Sequence, residues 1–306
     1  MQNVERVVVG KRPQIMITLV AMFAEGHALL EDVPGVAKTM LARALAQSVG
    51  GKFKRVQCTP DLLPSDITGA SIFNPKTTEF EFRAGPLFAQ IVLADEINRA
   101  TPRAQSALLE AMAERQVSVD GTVYKLDRPF FIIATQNPVD HEGTFPLPEA
   151  QLDRFIVRLS LGYPTAEEES AMIERLQLGH PIEALQPVVS VADIVNCQEA
   201  VRRVGVHERV RNYVVQIITG TREHEAIVLG GSPRATLALT RAAQAYAAIN
   251  GANHVMPDDV KRVASAVLPH RLIVRPESRL RKIRSEDVVS EILRSVKVPT
   301  MPDNLG

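Results

Sequence analysis

The chain has 306 residues, enough for two domains, with an apolar fraction of 45% and a charged fraction of 23% that suit a globular protein. Lysine plus arginine balances aspartate plus glutamate at 35 each, which weighs against nucleic acid as the main partner. Two distant cysteines, Cys58 and Cys197, form no metal-ligand spacing; both are expected to be reduced and buried.

In chain order, the apolar run Ile15 to Ala24 follows Lys11 and Arg12 but is too short to span a bilayer. Glu25-Gly26 follows where a signal peptidase would need small residues, so a buried helix and a cytoplasmic protein are expected. Strands are predicted at Ala28 to Glu31, Phe53 to Cys58, Ile91 to Asp95, Phe130 to Thr135 and Phe155 to Leu159. Three of them are nearly continuous apolar runs, as in a parallel sheet covered on both faces. Helical patterns at Lys38 to Val49 and Pro102 to Glu114 separate them, giving an α/β doubly wound domain. Two stretches interrupt this rhythm: residues 62–88, rich in proline, glycine and threonine, and residues 115–129. In the second, Asp120-Gly121 between alternating runs predicts a hairpin with a type I′ turn.

Beyond Tyr163 the texture becomes helical: Ala166 to Leu178, Val191 to Arg203, His207 to Arg222, Pro233 to Asn250, Pro257 to Val267 and Ser285 to Val296. The expected organisation is an α/β core at 1–165, a linker at 166–189 and a helical domain at 190–306. The basic tract from Arg271 to Arg284 is expected to be a solvated face or an intersubunit surface.

The chemistry begins at "EDVPGVAKT". A strand ends at Glu31, a tight loop with Pro34-Gly35 follows, and Lys38-Thr39 opens a helix, the geometry that presents backbone N–H groups to phosphate. Lys38 can reach β- and γ-phosphates and the Thr39 hydroxyl can hold Mg²⁺. Asp32 and Ala37 stand where the usual phosphate loop has glycines. Ala37 is expected to be helical already, where alanine is unstrained. Asp95 and Glu96 close a buried strand: Asp95 suits metal coordination, Glu96 the polarising of water. Asn137 ends another strand and can orient that water or touch the γ-phosphate. Arg154 is a candidate arginine finger, the alternative being a salt bridge to Asp153 or Glu149. Arg234, in the first turn of a helix, opposes the helix dipole and so suggests a partner such as phosphate or an ordinary acid.

With these motifs the chain resembles the MoxR family of AAA+ ATPases over roughly residues 4–300. The most specific stretches are "LLEDVPGVAKT", "FRAGPLFAQIVLADEINRATPRAQSALLEAMAERQVSVDG", "FIIATQNPVDHEGTFPLPEAQLDRF" and "GGSPRATLAL". The resemblance implies a P-loop AAA+ core with a C-terminal all-α lid, binding ATP or ADP with Mg²⁺. Lys38 and Thr39 would be the Walker A pair, Asp95 and Glu96 the Walker B pair, Asn137 sensor 1, Arg154 the finger and Arg234 sensor 2, acting in cis or in trans. Val33, Pro34, Val36 and Met40 complete the implied nucleotide loop, and Val9 and Gly10 lie where the family packs adenine. Residues 62–88 correspond to a helix-2 insert and 115–129 to a pre-sensor-1 hairpin. The family resemblance also implies a homo-oligomeric, hexameric ring acting as a chaperone-like remodelling or metal-insertion factor, with client proteins and a von Willebrand A domain partner. A DNA-dependent or chelatase-type motor and a weakly hydrolysing nucleotide scaffold are the alternatives; neutral charge opposes the first, and the intact acid pair opposes the second.

Overall fold

The computed structural model describes residues 1–138, 143–177 and 179–301. From the N-terminus run α1 (Gln2–Glu5), α2 (Arg12–Phe23), β1 (Ala28–Glu31), α3 (Lys38–Ser48), β2 (Phe53–Gln57), α4 (Pro64–Thr68), β3 (Gly69–Asn74), β4 (Glu79–Ala84), β5 (Ile91–Asp95), α5 (Pro102–Glu114), β6 (Gln116–Val119), β7 (Thr122–Lys125), β8 (Phe131–Gln136), α6 (Glu149–Leu152), β9 (Val157–Leu159) and α7 (Ala166–Gln177). The helical half follows: α8 (Val191–Arg203), α9 (Glu208–Glu223), β10 (Ile227–Leu229), α10 (Pro233–Ile249), α11 (Pro257–Val267), β11 (Ile273–Val274), α12 (Pro276–Leu280) and α13 (Ser285–Ser295). The expected helix end at Leu178 and the chain end at 302–306 lie outside the described residues.

The chain falls into two compact units. The first holds Met1–Met16, His27–Leu147 and Leu159–Val195; the second holds Ile17–Gly26, Pro148–Arg158 and Asn196–Gly306. The central sheet has the order β2-β5-β8-β1-β9, and β1, β2, β5 and β8 lie wholly in the first unit. The three registers β2–β5, β5–β8 and β1–β8 are parallel. The apolar runs fit this place because Leu29, Leu30, Val92, Leu93, Ile132 and Ile133 are fully buried. β2 is an edge strand and buries only Val56. α3 turns Leu41, Ala42 and Leu45 inward, and α5 turns Ala104, Leu108, Leu109 and Met112 inward, at helical spacing. Thr101 caps α5 by accepting from the Ala104 N–H, with Pro102 at the first helical position.

Both interruptions of the βα rhythm contain an antiparallel hairpin, the first preceded by α4. β3 pairs with β4 and carries exposed Ile72, Phe73 and Phe80; β6 pairs with β7 around Asp120-Gly121, where both residues have positive φ as a type I′ turn requires. Phe82 of the first hairpin stacks on Tyr124 of the second at a centroid distance of 3.9 Å.

In the second unit α9 buries Val210, Tyr213, Val214, Ile217, Ile218 and Thr221, one continuous stripe of a 3.6-residue period. α10 starts at the Ser232 cap and Pro233 and packs an alanine-rich face against α11. Two expectations fail here. Cys197 is exposed on α8, whose buried residues are Ile194, Gln198 and Val201. Arg271 does not belong to a solvated face: its side chain is 3% exposed, with Nε 2.7 Å from Asp153 Oδ1. The guanidinium also donates to the carbonyls of Asp153, Phe155, Ile156 and Val267, so five acceptors satisfy a charge that burial would otherwise penalise. No described helix is long and apolar enough to cross a membrane.

Candidate active site

β1 delivers the chain into the loop 32–37 and α3 carries it away. Gly35 has φ +88, a left-handed turn that glycine adopts freely. Ala37 is left-handed as well, at φ 60 and ψ 20, as the N-cap of α3. The expectation of a helical Ala37 is therefore wrong: the helix begins one residue later, and the loop needs the positive φ that glycine supplies in the usual phosphate loop. A Cβ in this region costs on the order of 1–2 kcal/mol.

Asp32 also has a task that the sequence reading missed. It is 5% exposed, and its carboxylate accepts from the Ser160 hydroxyl at 2.5 Å, the Leu161 N–H at 2.6 Å and the Gly162 N–H at 3.1 Å. The acid thus ties the start of the 32–37 loop to the segment after β9. Lys38 Nζ donates to the carbonyls of Asp32 at 2.8 Å and Val33 at 3.1 Å. Burial lowers the Lys38 pKa, and the charges of Asp32, Asp95 and Glu96 oppose that shift.

Asp95 ends β5 between β2 and β8. Its Oδ1 accepts from the Thr135 hydroxyl at 2.6 Å, and its Oδ2 accepts from Arg55 at 2.6 Å and 3.1 Å. The Thr135 oxygen in turn accepts from the Glu96 N–H at 2.8 Å, so one buried threonine on β8 fixes both acids. Glu96 is left-handed at φ 57 and ψ 50, a strained conformation for a side chain with a Cβ and one that clusters at functional sites. Its Oε2 accepts from Gln57 at 3.1 Å and pairs with Arg99 at 3.2 Å. Asn137 is 5% exposed, and its carbonyl accepts from the Asn98 amide at 3.4 Å.

Pro34, Gly35, Val36, Ala37, Lys38, Thr39, Arg55, Asp95, Glu96 and Asn137 line one cavity of about 260 Å³ in the first unit. The C-terminal ends of parallel strands are where such folds place ligands. Arg55, Gln57 and Thr135 were not read from the sequence, because only the register Gln57↔Asp95 and the adjacency of β5 and β8 bring them to the acids. Val33 and Met40 do not line the cavity, and neither do Val9 and Gly10. Gly10 has φ +72, and a Cβ there would stand 1.7 Å from Glu168 Oε1, so that glycine accommodates α7. Arg154 follows α6 and Arg234 is exposed in the first turn of α10, both in the second unit. Asp153, one of the two acids considered for Arg154, is paired through Oδ1 with Arg271. Cys58 is buried beside this site; burial first, then the charges of Asp95 and Glu96, push its thiol up to about 12, so it stays neutral.

A family model for ATPases associated with various cellular activities matches residues 27–157, and one for the AAA lid domain matches residues 219–292. Chaperone MoxR1 of Mycobacterium tuberculosis is 42% identical over 97% of this chain and 81% of its own length. The chain belongs to the MoxR family of AAA+ ATPases. Protein MoxR of Paracoccus denitrificans is 31% identical over 88% of this chain and 86% of its own length. YeaC of Bacillus subtilis, an uncharacterized protein, is 52% identical over 97% of this chain and 93% of its own. A solved structure from Cytophaga hutchinsonii, provisionally assigned as an ATPase, superposes with a TM-score of 0.91 at 39% identity, covering 98% of this chain and 93% of that one. The protein is thus a MoxR-type enzyme that binds nucleotide and hydrolyses ATP, with an AAA+ core of parallel sheet flanked by helices and a helical lid.

Proposed function

We propose that this MoxR protein hydrolyses ATP with Mg²⁺ in the cavity between the 32–37 loop and the acid pair, and uses the energy to remodel or assemble other proteins or to insert a metal into them. The observation that carries the reading is the convergence of Lys38, Thr39, Asp95, Glu96 and Asn137 on one cavity. Backbone N–H groups at the start of α3 and the Lys38 ammonium bind the β- and γ-phosphates. The Thr39 hydroxyl and the Asp95 carboxylate are hard oxygen donors on that cavity and fit Mg²⁺. Mg²⁺, when bound with nucleotide, neutralises charge on the phosphate oxygens. Glu96 takes a proton from the attacking water and Asn137 orients it, a general-base contribution of about 10²–10⁴. Arg154 serves as a finger toward a neighbouring subunit, Arg234 contacts phosphate, and Val9 and Gly10 meet the adenine.

The domain assignment is a core at 1–165 with inserts at 62–88 and 115–129, a linker at 166–189 and a lid at 190–306. The working particle is a hexameric ring in the cytoplasm, partnered by a von Willebrand A domain protein and by clients. Exposed Phe73 and Phe80 on the β3–β4 hairpin, at 50% and 73%, support a protein partner, since isolated soluble surfaces seldom display paired aromatics. The test is hydrolysis by wild type and Lys38→Ala, with particle mass measured with and without ATP. Loss of hydrolysis in the variant and a ring-sized mass with ATP are expected. Undiminished hydrolysis in Lys38→Ala, or a mass that stays monomeric at every concentration, contradicts the proposal.

A further inference from the structure

The Arg55 guanidinium lines the same cavity as Lys38 and Glu96 and holds Asp95 through Nε and an Nη. It sits on the edge strand β2, two residues before Gln57, so both side chains leave the same face of the strand. The same Nη donates to Gln57 Oε1 at 2.6 Å. A guanidinium only donates and a carboxylate only accepts, so this bond fixes the Gln57 amide with its nitrogen toward Glu96 Oε2. Arg55 therefore touches Asp95 directly and Glu96 through one amide. The Asp95 side chain is 11% exposed and the Arg55 side chain 48%, so the carboxylate stays in place while the guanidinium has room to leave it. Of the two carboxylate oxygens, Oδ1 accepts from buried Thr135, and Oδ2 accepts from Arg55 through two N–H groups.

We propose that Arg55 is the resident counter-ion of Asp95, and that it competes with the divalent cation for Oδ2 and must release Asp95 when the cation binds. The freed guanidinium then faces the phosphate cavity as a second cation beside Lys38, and the Gln57–Glu96 contact loses the bond that orients its amide. Asp95 is thereby kept neutralised without metal, and cation arrival is coupled to the geometry of the water-activating acid. The inference rests on the reading that Asp95 holds the cation.

The test is Mn²⁺ binding to the full nucleotide-free chain, followed by the paramagnetic signal of free Mn²⁺, in wild type, Arg55→Gln, Arg55→Lys and Asp95→Asn. A charge-assisted fork on a mostly buried carboxylate predicts that Arg55→Gln binds Mn²⁺ about tenfold more tightly than wild type. Arg55→Lys, which keeps the charge without the fork, falls between them. In melting experiments Arg55→Gln is less stable than wild type without metal and gains more from Mn²⁺. Equal Mn²⁺ affinity in wild type and Arg55→Gln, with weaker binding in Asp95→Asn, overturns the competition and leaves Asp95 as the cation site. Equal affinity in all of them overturns both.

Discussion

Replacing Ala37 with glycine separates two accounts of the phosphate loop by the sign of one number. At φ 60 and ψ 20 the alanine Cβ costs about 1–2 kcal/mol. Glycine removes that strain but gives the unfolded chain more freedom, which returns about 0.4–1 kcal/mol. The net expectation is a gain of about 0.5–1 kcal/mol in unfolding free energy, read from urea denaturation of wild type and Ala37→Gly. A right-handed helical alanine would give the opposite result, a loss of about 1 kcal/mol, because glycine is the poorer helix former. If the loop keeps its shape with nucleotide, the strain is common to free and bound protein, and ATP affinity stays within a few-fold. A destabilised Ala37→Gly would refute the left-handed assignment and the reasoning built on it.

Asp32→Ala removes the acceptor of three hydrogen bonds to residues 160–162 and is expected to cost about 2–4 kcal/mol by chemical denaturation. Arg271→Met leaves Asp153 and several carbonyls without their donor and is expected to destabilise the protein by about 3–5 kcal/mol, seen as a lowered melting temperature. His27 is buried, with Nδ1 accepting from the Ile132 N–H and Nε2 facing the Met112 carbonyl; burial lowers its pKa to about 4. The unfolded chain takes up this proton near pH 6.5 and the folded chain only near 4, so stability is full above 6.5 and falls by about 2–4 kcal/mol as pH drops to 4. His27→Gln should flatten that part of the pH–stability curve.

How far the sequence carries depends on whether the deciding partner is near in the chain. β5 and α5 match their predicted bounds, because continuous apolar runs and a Thr-Pro start are local signals. The β3–β4 hairpin was read only as an insertion, since its exposed Phe73 and Phe80 break the buried-face pattern that marks a strand. Arg271 looked like one charge in a basic tract; its partner Asp153 lies 118 positions away. Lys38 opens α3, Asp95 ends β5, and Glu96 and Asn137 follow the last residues of β5 and β8, so local pattern alone marks these four cavity-lining positions. Arg55 and Thr135 were not, because strand order and register alone bring them to Asp95. Ala37 misled because left-handed backbone has a sequence signature when glycine or asparagine occupies it, and alanine carries none.

The most direct measurement of the central claim is phosphate release from ATP and Mg²⁺ by wild type beside Glu96→Gln, with nucleotide binding measured on both. The account predicts that Glu96→Gln binds ATP within a few-fold of wild type and turns over about 10²–10⁴ times more slowly. Equal turnover in the two proteins would contradict it.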